Sequence, residues 1–109
     1  MLSSLAESEK DALLDVKKEI SGKYGLRWMK LFGSKSRGDF DLESDLDIVI
    51  VVDRLDWQIE KDIYEICFYA SLKHDLLISP IVFSEDEVNS GAIQRTPFYK
   101  VVEREGFAI

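Results

Sequence analysis

The chain has 109 residues, 46% of them hydrophobic and 11% aromatic, and this composition predicts a single compact domain over residues 1–109 rather than a disordered segment. Its 14 basic and 21 acidic residues give a net charge of −7, which argues against a protein that binds nucleic acid through a basic face. With one cysteine, one histidine and no apolar run of membrane-spanning length, the sequence excludes a Cys/His zinc site and predicts a cytoplasmic protein that does not enter a membrane.

The first half of the sequence predicts a helix and two strands. Residues 4–21 predict the helix, because their apolar positions recur at helical spacing. Residues 26–32 predict a short strand. Residues 45–52 predict a central strand covered on both faces, because Ile48–Val52 is β-branched throughout. The polar residues 35–44 between the two strands predict a helical turn followed by a loop.

The second half adds a helix, a strand and two shorter helices. Residues 55–74 predict a long helix, and residues 76–83 predict a strand that is an edge or carries a bulge, because it contains a proline. Ser84 before three acids, and Thr96 before a proline, are each typical of a helix start. The element order predicts an α/β or α+β domain with a small mixed β-sheet flanked by helices.

Two short motifs predict a site for a nucleotide and a metal ion. Gly33-Ser34 follows the first strand, where backbone N–H groups, the absence of a Cβ and a hydroxyl donor suit phosphate oxygens. Asp45 and Asp47 begin the central strand, and their spacing directs both carboxylates to the same side. Such oxygen ligands suit Mg²⁺, and a pair of these ions activates an attacking hydroxyl and stabilises a departing pyrophosphate. Each motif alone is commonly a turn or a solvated loop, but their conjunction favours the functional interpretation.

Together, Gly33-Ser34, ten further residues, and the pair Asp45 and Asp47 resemble the signature of the DNA polymerase β-like nucleotidyltransferase superfamily. The fuller run from Gly33 to Asp47 is similar to its minimal nucleotidyltransferase branch. The resemblance implies that fold and a Mg²⁺-dependent transfer of a nucleoside monophosphate, AMP from ATP, to a hydroxyl. It also implies that Gly33 and Ser34 hold the triphosphate, that Arg37 lies near the phosphates, and that Asp45 and Asp47 bind the two metal ions.

The same resemblance implies a protein partner. Members of this branch commonly pair with a small helical HEPN protein, and the two form a toxin–antitoxin module. In such a module the nucleotidyltransferase is the antitoxin and can transfer AMP to a tyrosine of the toxin. The implied role is therefore that of an adenylyltransferase whose acceptor is a hydroxyl of its HEPN partner.

The third strand departs from the pattern of the superfamily, which usually carries a third carboxylate there. Residues 76–83 contain no acid. Asp75 precedes the strand and is the nearest candidate for a general base, whereas Ser79 could occupy the usual place without replacing a carboxylate as ligand and base. Two functions therefore remain open: an enzyme, and a binding module that keeps the fold and neutralises its partner by forming a complex with it.

Several conspicuous side chains are not assigned to the site. Cys67 is expected to be a small buried hydrophobe, and His74 is expected to interact with the dipole at the end of its helix. Trp57, Phe68 and Tyr69 are expected in the core or on a partner-facing surface rather than in a base-stacking platform.

Overall fold

A computed structural model describes residues 5–33 and 45–109 of the chain. Its elements, in chain order, are α1 (Glu7–Lys23), β1 (Leu26–Phe32), β2 (Leu46–Val52), α2 (Trp57–His74), β3 (Ile78–Ser84), α3 (Glu85–Asn89), a 3-10 turn (Ile93–Arg95), α4 (Pro97–Glu105) and β4 (Phe107–Ala108). This architecture confirms the predicted small mixed sheet flanked by helices. None of the helices in the described part of the chain is both long and apolar enough to cross a membrane. The predicted turn and loop over residues 35–44 lie outside the described residues.

The four strands form one sheet in the order β3-β2-β1-β4. β2 runs antiparallel to β1 and parallel to β3, and α2 forms the crossover that a parallel pair requires. The prediction that β2 is central is confirmed. β3 is an edge strand, so Pro80 is tolerated there, as predicted. The sequence analysis missed β4, a two-residue strand that pairs with β1 at the opposite edge.

Helices cover both faces of the sheet, and each face has its own core. Ile48 and Ile50 of β2 pack on the side of α1 and α2. Val49 and Val51 pack on the other side, against Val88 of α3 and the partly buried aromatic residues of α4. Because β2 is buried on both faces, all its positions from 48 to 52 are apolar, whereas a strand with one wet face would alternate.

The ends of the helices follow ordinary capping chemistry, with one correction. α1 begins at Glu7 rather than at residue 4. Ala6 is its N-cap residue, and the Glu9 side chain caps the helix by accepting from the backbone N–H of Ala6, with Oε1 at 2.8 Å. α3 and α4 begin after Ser84 and Thr96, as predicted, and each of these side chains accepts from a backbone N–H of the first turn.

Two further predictions concern α2. Cys67 is buried, and burial raises the pKa of its thiol to about 12, so it is the inert residue that was expected. His74 does lie in the last turn of α2, but it also has a specific partner: its Nε2 lies 2.8 Å from Asp15 Oδ2 of α1. This contact joins the two helices on the same face of the sheet.

Candidate functional site

The site lies where β1 ends beside the start of β2. Phe32, the last residue of β1, lies opposite Asp47 in the antiparallel register, and Gly33 follows it. Gly33 has a φ of +78°, in the left-handed region that favours glycine. A Cβ built on Gly33 would lie 2.6 Å from Asp47 Oδ2. The absence of a side chain at Gly33 therefore allows its backbone to approach the Asp47 carboxylate closely.

Asp45 and Asp47 direct their carboxylates to the same side of the sheet, as their spacing predicts. Leu46 between them is almost fully buried in the core formed with α1 and α2. The two acids therefore face the opposite side, the side of α3 and α4, and both are half-buried. Burial raises the pKa of the Asp47 carboxyl above its usual value, and the negative charge of Asp45 raises it further. The pair thus holds two like charges in a partly desolvated place.

Ser79 is the third side chain of the site. It lies on β3, which pairs with β2 in parallel next to the two acids. Ser79 lies opposite Asp47 in that register, and its Oγ donates a hydrogen bond to Asp45 Oδ2 at 2.9 Å. The sequence analysis noted Ser79 only as the residue in the place of a third carboxylate. Its contact with Asp45 depends on the strand register, and no motif in the sequence signals that contact.

Asp75, the other candidate for the third carboxylate, lies at the end of α2 and outside β3. It ends α2 with a φ of 52°, a left-handed conformation that aspartate tolerates. Its residue is exposed, and within residues 5–33 and 45–109 its side chain has no hydrogen-bond or ion-pair partner, whereas the Ser79 hydroxyl bonds Asp45. The structure therefore brings Ser79, and not Asp75, into contact with the acidic pair. A catalytic role for Asp75 stays a prediction.

The donor set of the site fits a hard divalent cation. Asp45 and Asp47 supply two carboxylates, and in the described part of the chain there is no cluster of three or more His, Cys, Asp or Glu side chains that could hold a metal. Mg²⁺ needs no such cluster, because it is commonly bound by one or two carboxylates together with water and substrate phosphates. A cation there would also offset the repulsion between the two acids. Ser34 and Arg37, the predicted phosphate contacts, lie outside the described residues.

Comparison with known proteins is consistent with this geometry. A family model described as "Nucleotidyltransferase domain" matches residues 13–103. Two proteins of Methanocaldococcus jannaschii are similar to the chain. "Putative protein adenylyltransferase MJ0141" is 42% identical over 78 residues, which cover 69% of this chain and 79% of the relative. "Putative protein adenylyltransferase MJ0604" is 37% identical over 84 residues, which cover 75% of this chain and 80% of the relative.

Solved structures share the fold at lower sequence identity. A toxin–antitoxin crystallised with AMP-PNP superimposes with a TM-score of 0.59 at 18% identity, over 94% of this chain and 72% of that one. A mutant of the toxin–antitoxin MntA-HpeT superimposes with a TM-score of 0.57 at 18% identity, over 92% of this chain and 70% of that one. At this identity the likeness concerns the fold. The family match and the two relatives reach further and confirm the predicted resemblance: the chain belongs to the nucleotidyltransferase domain family.

Proposed function

We propose that this protein transfers a nucleoside monophosphate, AMP from ATP, to a hydroxyl group of a partner protein, and that it acts as the antitoxin of a HEPN-type toxin. The observation that carries the proposal is the pair of half-buried carboxylates of Asp45 and Asp47, with Asp47 close to the position that lacks a side chain at Gly33. The names of the two relatives support AMP as the transferred group. The toxin–antitoxin neighbours, one of them crystallised with AMP-PNP, support the partner and the nucleotide.

Each residue of the site has a proposed task. Asp45 and Asp47 would hold Mg²⁺, which when bound neutralises phosphate charge and lowers the pKa of a nearby hydroxyl. The backbone N–H groups at Gly33, together with Ser34 and Arg37, are proposed to contact the triphosphate. Ser79 fixes the orientation of the Asp45 carboxylate through its hydrogen bond.

The binding of Mg·ATP tests this assignment most simply. We expect isothermal titration to show ATP binding that requires Mg²⁺ and is lost when Asp45→Asn and Asp47→Asn are combined, because the amides cannot supply the negative charge. Asp11→Asn, which removes an exposed carboxylate from α1 on the other face of the sheet, is the matched control and should bind like the parent. If the double variant binds Mg·ATP as tightly as the parent does, the site is assigned to the wrong residues.

A second candidate function is favoured by one observation. The residue of β3 that contacts the acidic pair is Ser79, whose hydroxyl cannot serve as a carboxylate ligand or as a general base near neutral pH. On this reading the protein retains the nucleotidyltransferase fold, binds its partner and turns over slowly or not at all. Neutralisation would then come from the complex itself.

Labelling of the partner with AMP separates the two functions. If Asp75 acts as the general base, Asp75→Asn should keep Mg·ATP binding and lower the transfer rate by about 10²–10⁴-fold. Asparagine also tolerates the left-handed backbone of this position, so the substitution tests the carboxylate alone. If Asp75 is a bystander, Asp75→Asn should label like the parent, and Ser79→Asp should raise the rate. A complex that forms without labelling by any of the three proteins supports the binding module.

A further inference from the structure

The outward face of α2 carries large side chains that the domain core does not use. Ile63 and Ile66 bury the inward face of the helix. Away from the sheet, Trp57 is 72% exposed, Phe68 58% and Tyr69 65%. Neighbouring large apolar side chains that remain in solvent mark an interaction surface, because such patches are uncommon on soluble monomers.

Most of these side chains form a stripe along the helix. Trp57, Tyr64, Phe68 and Leu72 follow one another at intervals of seven, four and four residues, so all four lie on one side of α2. Tyr69 lies on the flank of this stripe, and it lines both the groove along the stripe and a second groove between α1 and α2. We call Trp57, Tyr64, Phe68, Tyr69 and Leu72 the outer α2 face.

Two acids border the stripe on opposite flanks. Glu60 and Glu65 are separated by five residues, which corresponds to about 140° around a helix, and both line the groove along the stripe. In the part of the chain that the structure describes, neither acid forms an ion pair, and Glu60 accepts a hydrogen bond only from the Tyr64 hydroxyl. Lys61 is the one lysine among the described residues that line this groove. The borders of the outer α2 face therefore carry an excess of negative charge.

We infer that the outer α2 face is the docking surface for the partner protein, and that its occupant is a helix with an apolar ridge bordered by lysine or arginine side chains. The inference rests on the proposed function for the existence of a protein partner. An amphipathic helix binds by laying its apolar side into a groove of this kind. Basic side chains on both flanks of the ridge would face Glu60 and Glu65, so charge complementarity specifies the chemistry of the partner.

Charge also separates this occupant from two others. A second copy of the chain repeats Glu60 and Glu65 and carries the same net charge of −7, so two copies repel each other where a basic partner is attracted. A nucleic acid that stacks its bases on aromatic side chains also needs cations for its phosphates, whereas acids border these rings.

The outer α2 face and the acidic pair lie on opposite sides of the sheet. α2 packs on the face that buries Leu46 and Ile48, whereas Asp45 and Asp47 face the side of α3 and α4. A helix bound along the outer α2 face therefore does not cover the two carboxylates. We expect complex formation and Mg·ATP binding to be lost through different substitutions.

Isothermal titration of the chain with a HEPN-type protein that forms a complex with it tests the inference. Phe68→Ser should raise the Kd of the complex at least about tenfold by removing a central ring, and it should bind Mg·ATP like the parent. Leu77→Ser removes an apolar side chain that is 57% exposed but lies outside α2, so it is the matched control and should leave the Kd of the complex unchanged. Circular dichroism checks that every variant folds.

A charge reversal tests the basic character of the occupant. Glu60→Lys and Glu65→Lys combined should weaken the complex by about tenfold or more, because like charges would then face each other. Asp86→Lys and Glu103→Lys combined change the net charge by the same amount at exposed positions of α3 and α4. This control should change the Kd by less than about threefold at about 0.15 M salt, where distant charges are screened.

Three results would overturn the inference. The first is a Kd that Phe68→Ser leaves unchanged, or that Leu77→Ser raises equally. The second is an effect of the α2 charge reversal that is no larger than that of its control. The third is sedimentation of the chain alone as a dimer that Phe68→Ser dissociates, because the face would then bind a second copy.

The docking surface and the proposed function can fail separately. A partner that docks through the outer α2 face and gains no AMP contradicts the proposed function but supports the docking surface. A partner that gains AMP and binds Phe68→Ser as tightly as the parent supports the proposed function and overturns the docking surface.

Discussion

The contact between Gly33 and Asp47 leads to a quantitative prediction for Gly33→Ala. The φ of +78° at Gly33 is unfavourable for alanine, which costs about 1–2 kcal/mol of folding free energy. The new Cβ would also lie 2.6 Å from Asp47 Oδ2, well inside van der Waals contact. That oxygen is the free end of a side chain, so the overlap is relieved most cheaply by rotation of the carboxylate. The substitution should therefore move a proposed ligand while the fold persists.

Gly91→Ala is the matched control. Gly91 also has a left-handed backbone, with a φ of +87°, so alanine there carries a similar backbone cost. Among residues 5–33 and 45–109, its Cβ would meet nothing nearer than the Arg95 guanidinium, at 4.0 Å. Both variants should lose about 1–2 kcal/mol of stability in denaturant unfolding. Only Gly33→Ala should lose affinity for Mg·ATP, by at least about tenfold, or about 1.4 kcal/mol.

Calorimetric titration and unfolding of the three proteins separate the two effects. The reasoning is refuted if Gly33→Ala binds Mg·ATP like the parent, because the close approach of this backbone to Asp47 would then have no role in binding. It is refuted equally if Gly91→Ala loses as much affinity, because the loss would then follow from backbone strain alone.

Two further predictions concern Ser79 and the junction of α1 and α2. Ser79→Ala removes the hydrogen bond that orients Asp45, and it should weaken Mg·ATP binding by about two- to tenfold in the same titration. An unchanged affinity would show that Asp45 does not need this hydrogen bond. Hydrogen bonds from His74, and to a smaller extent from Lys73, hold the pKa of Asp15 below its usual range. This carboxylate therefore stabilises the fold at pH values above its unfolded-state pKa, and the contribution is lost as the pH falls through its folded-state pKa. Because the Asp15 and Lys73 side chains are 43% and 70% exposed, and only His74 is largely buried, Asp15→Asn should lower the stability by less than about 1 kcal/mol at pH 7. The variant should match the parent in strong acid, as thermal unfolding across pH would show, and a difference that persists in acid would contradict this linkage.

Much of the fold could be predicted because its local and global signals agree. The β-branched run Ile48–Val52 predicted a central strand, and the structure covers both of its faces. The acids at the start of that strand were predicted to share a side, and period-two alternation around the buried Leu46 makes them do so. Pro80 predicted an edge or a bulge, and β3 is an edge strand.

The remaining features depend on contacts that no local pattern encodes. β4 is only two residues long and forms because β1 offers an open edge to the chain that follows α4. The contact of Ser79 with Asp45 follows from the parallel register of β3 on β2, which pairs residues far apart in the sequence. Trp57 and Phe68 are exposed, and predicting this would have required knowing which face of α2 packs on the sheet. Sequence spacing alone left these rings in the core or on a partner surface.

The central claim is that the Asp45 and Asp47 pair supports transfer of a nucleotide to a protein hydroxyl. Its most direct test is the intact mass of a HEPN-type protein that forms a complex with this chain, measured after incubation with the chain, ATP and Mg²⁺. The account predicts a gain equal to one AMP, which disappears when Mg²⁺ is withheld or when Asp45→Asn and Asp47→Asn are combined. An unmodified mass in a complex that has formed would contradict it, and so would an AMP adduct made equally well by the double variant.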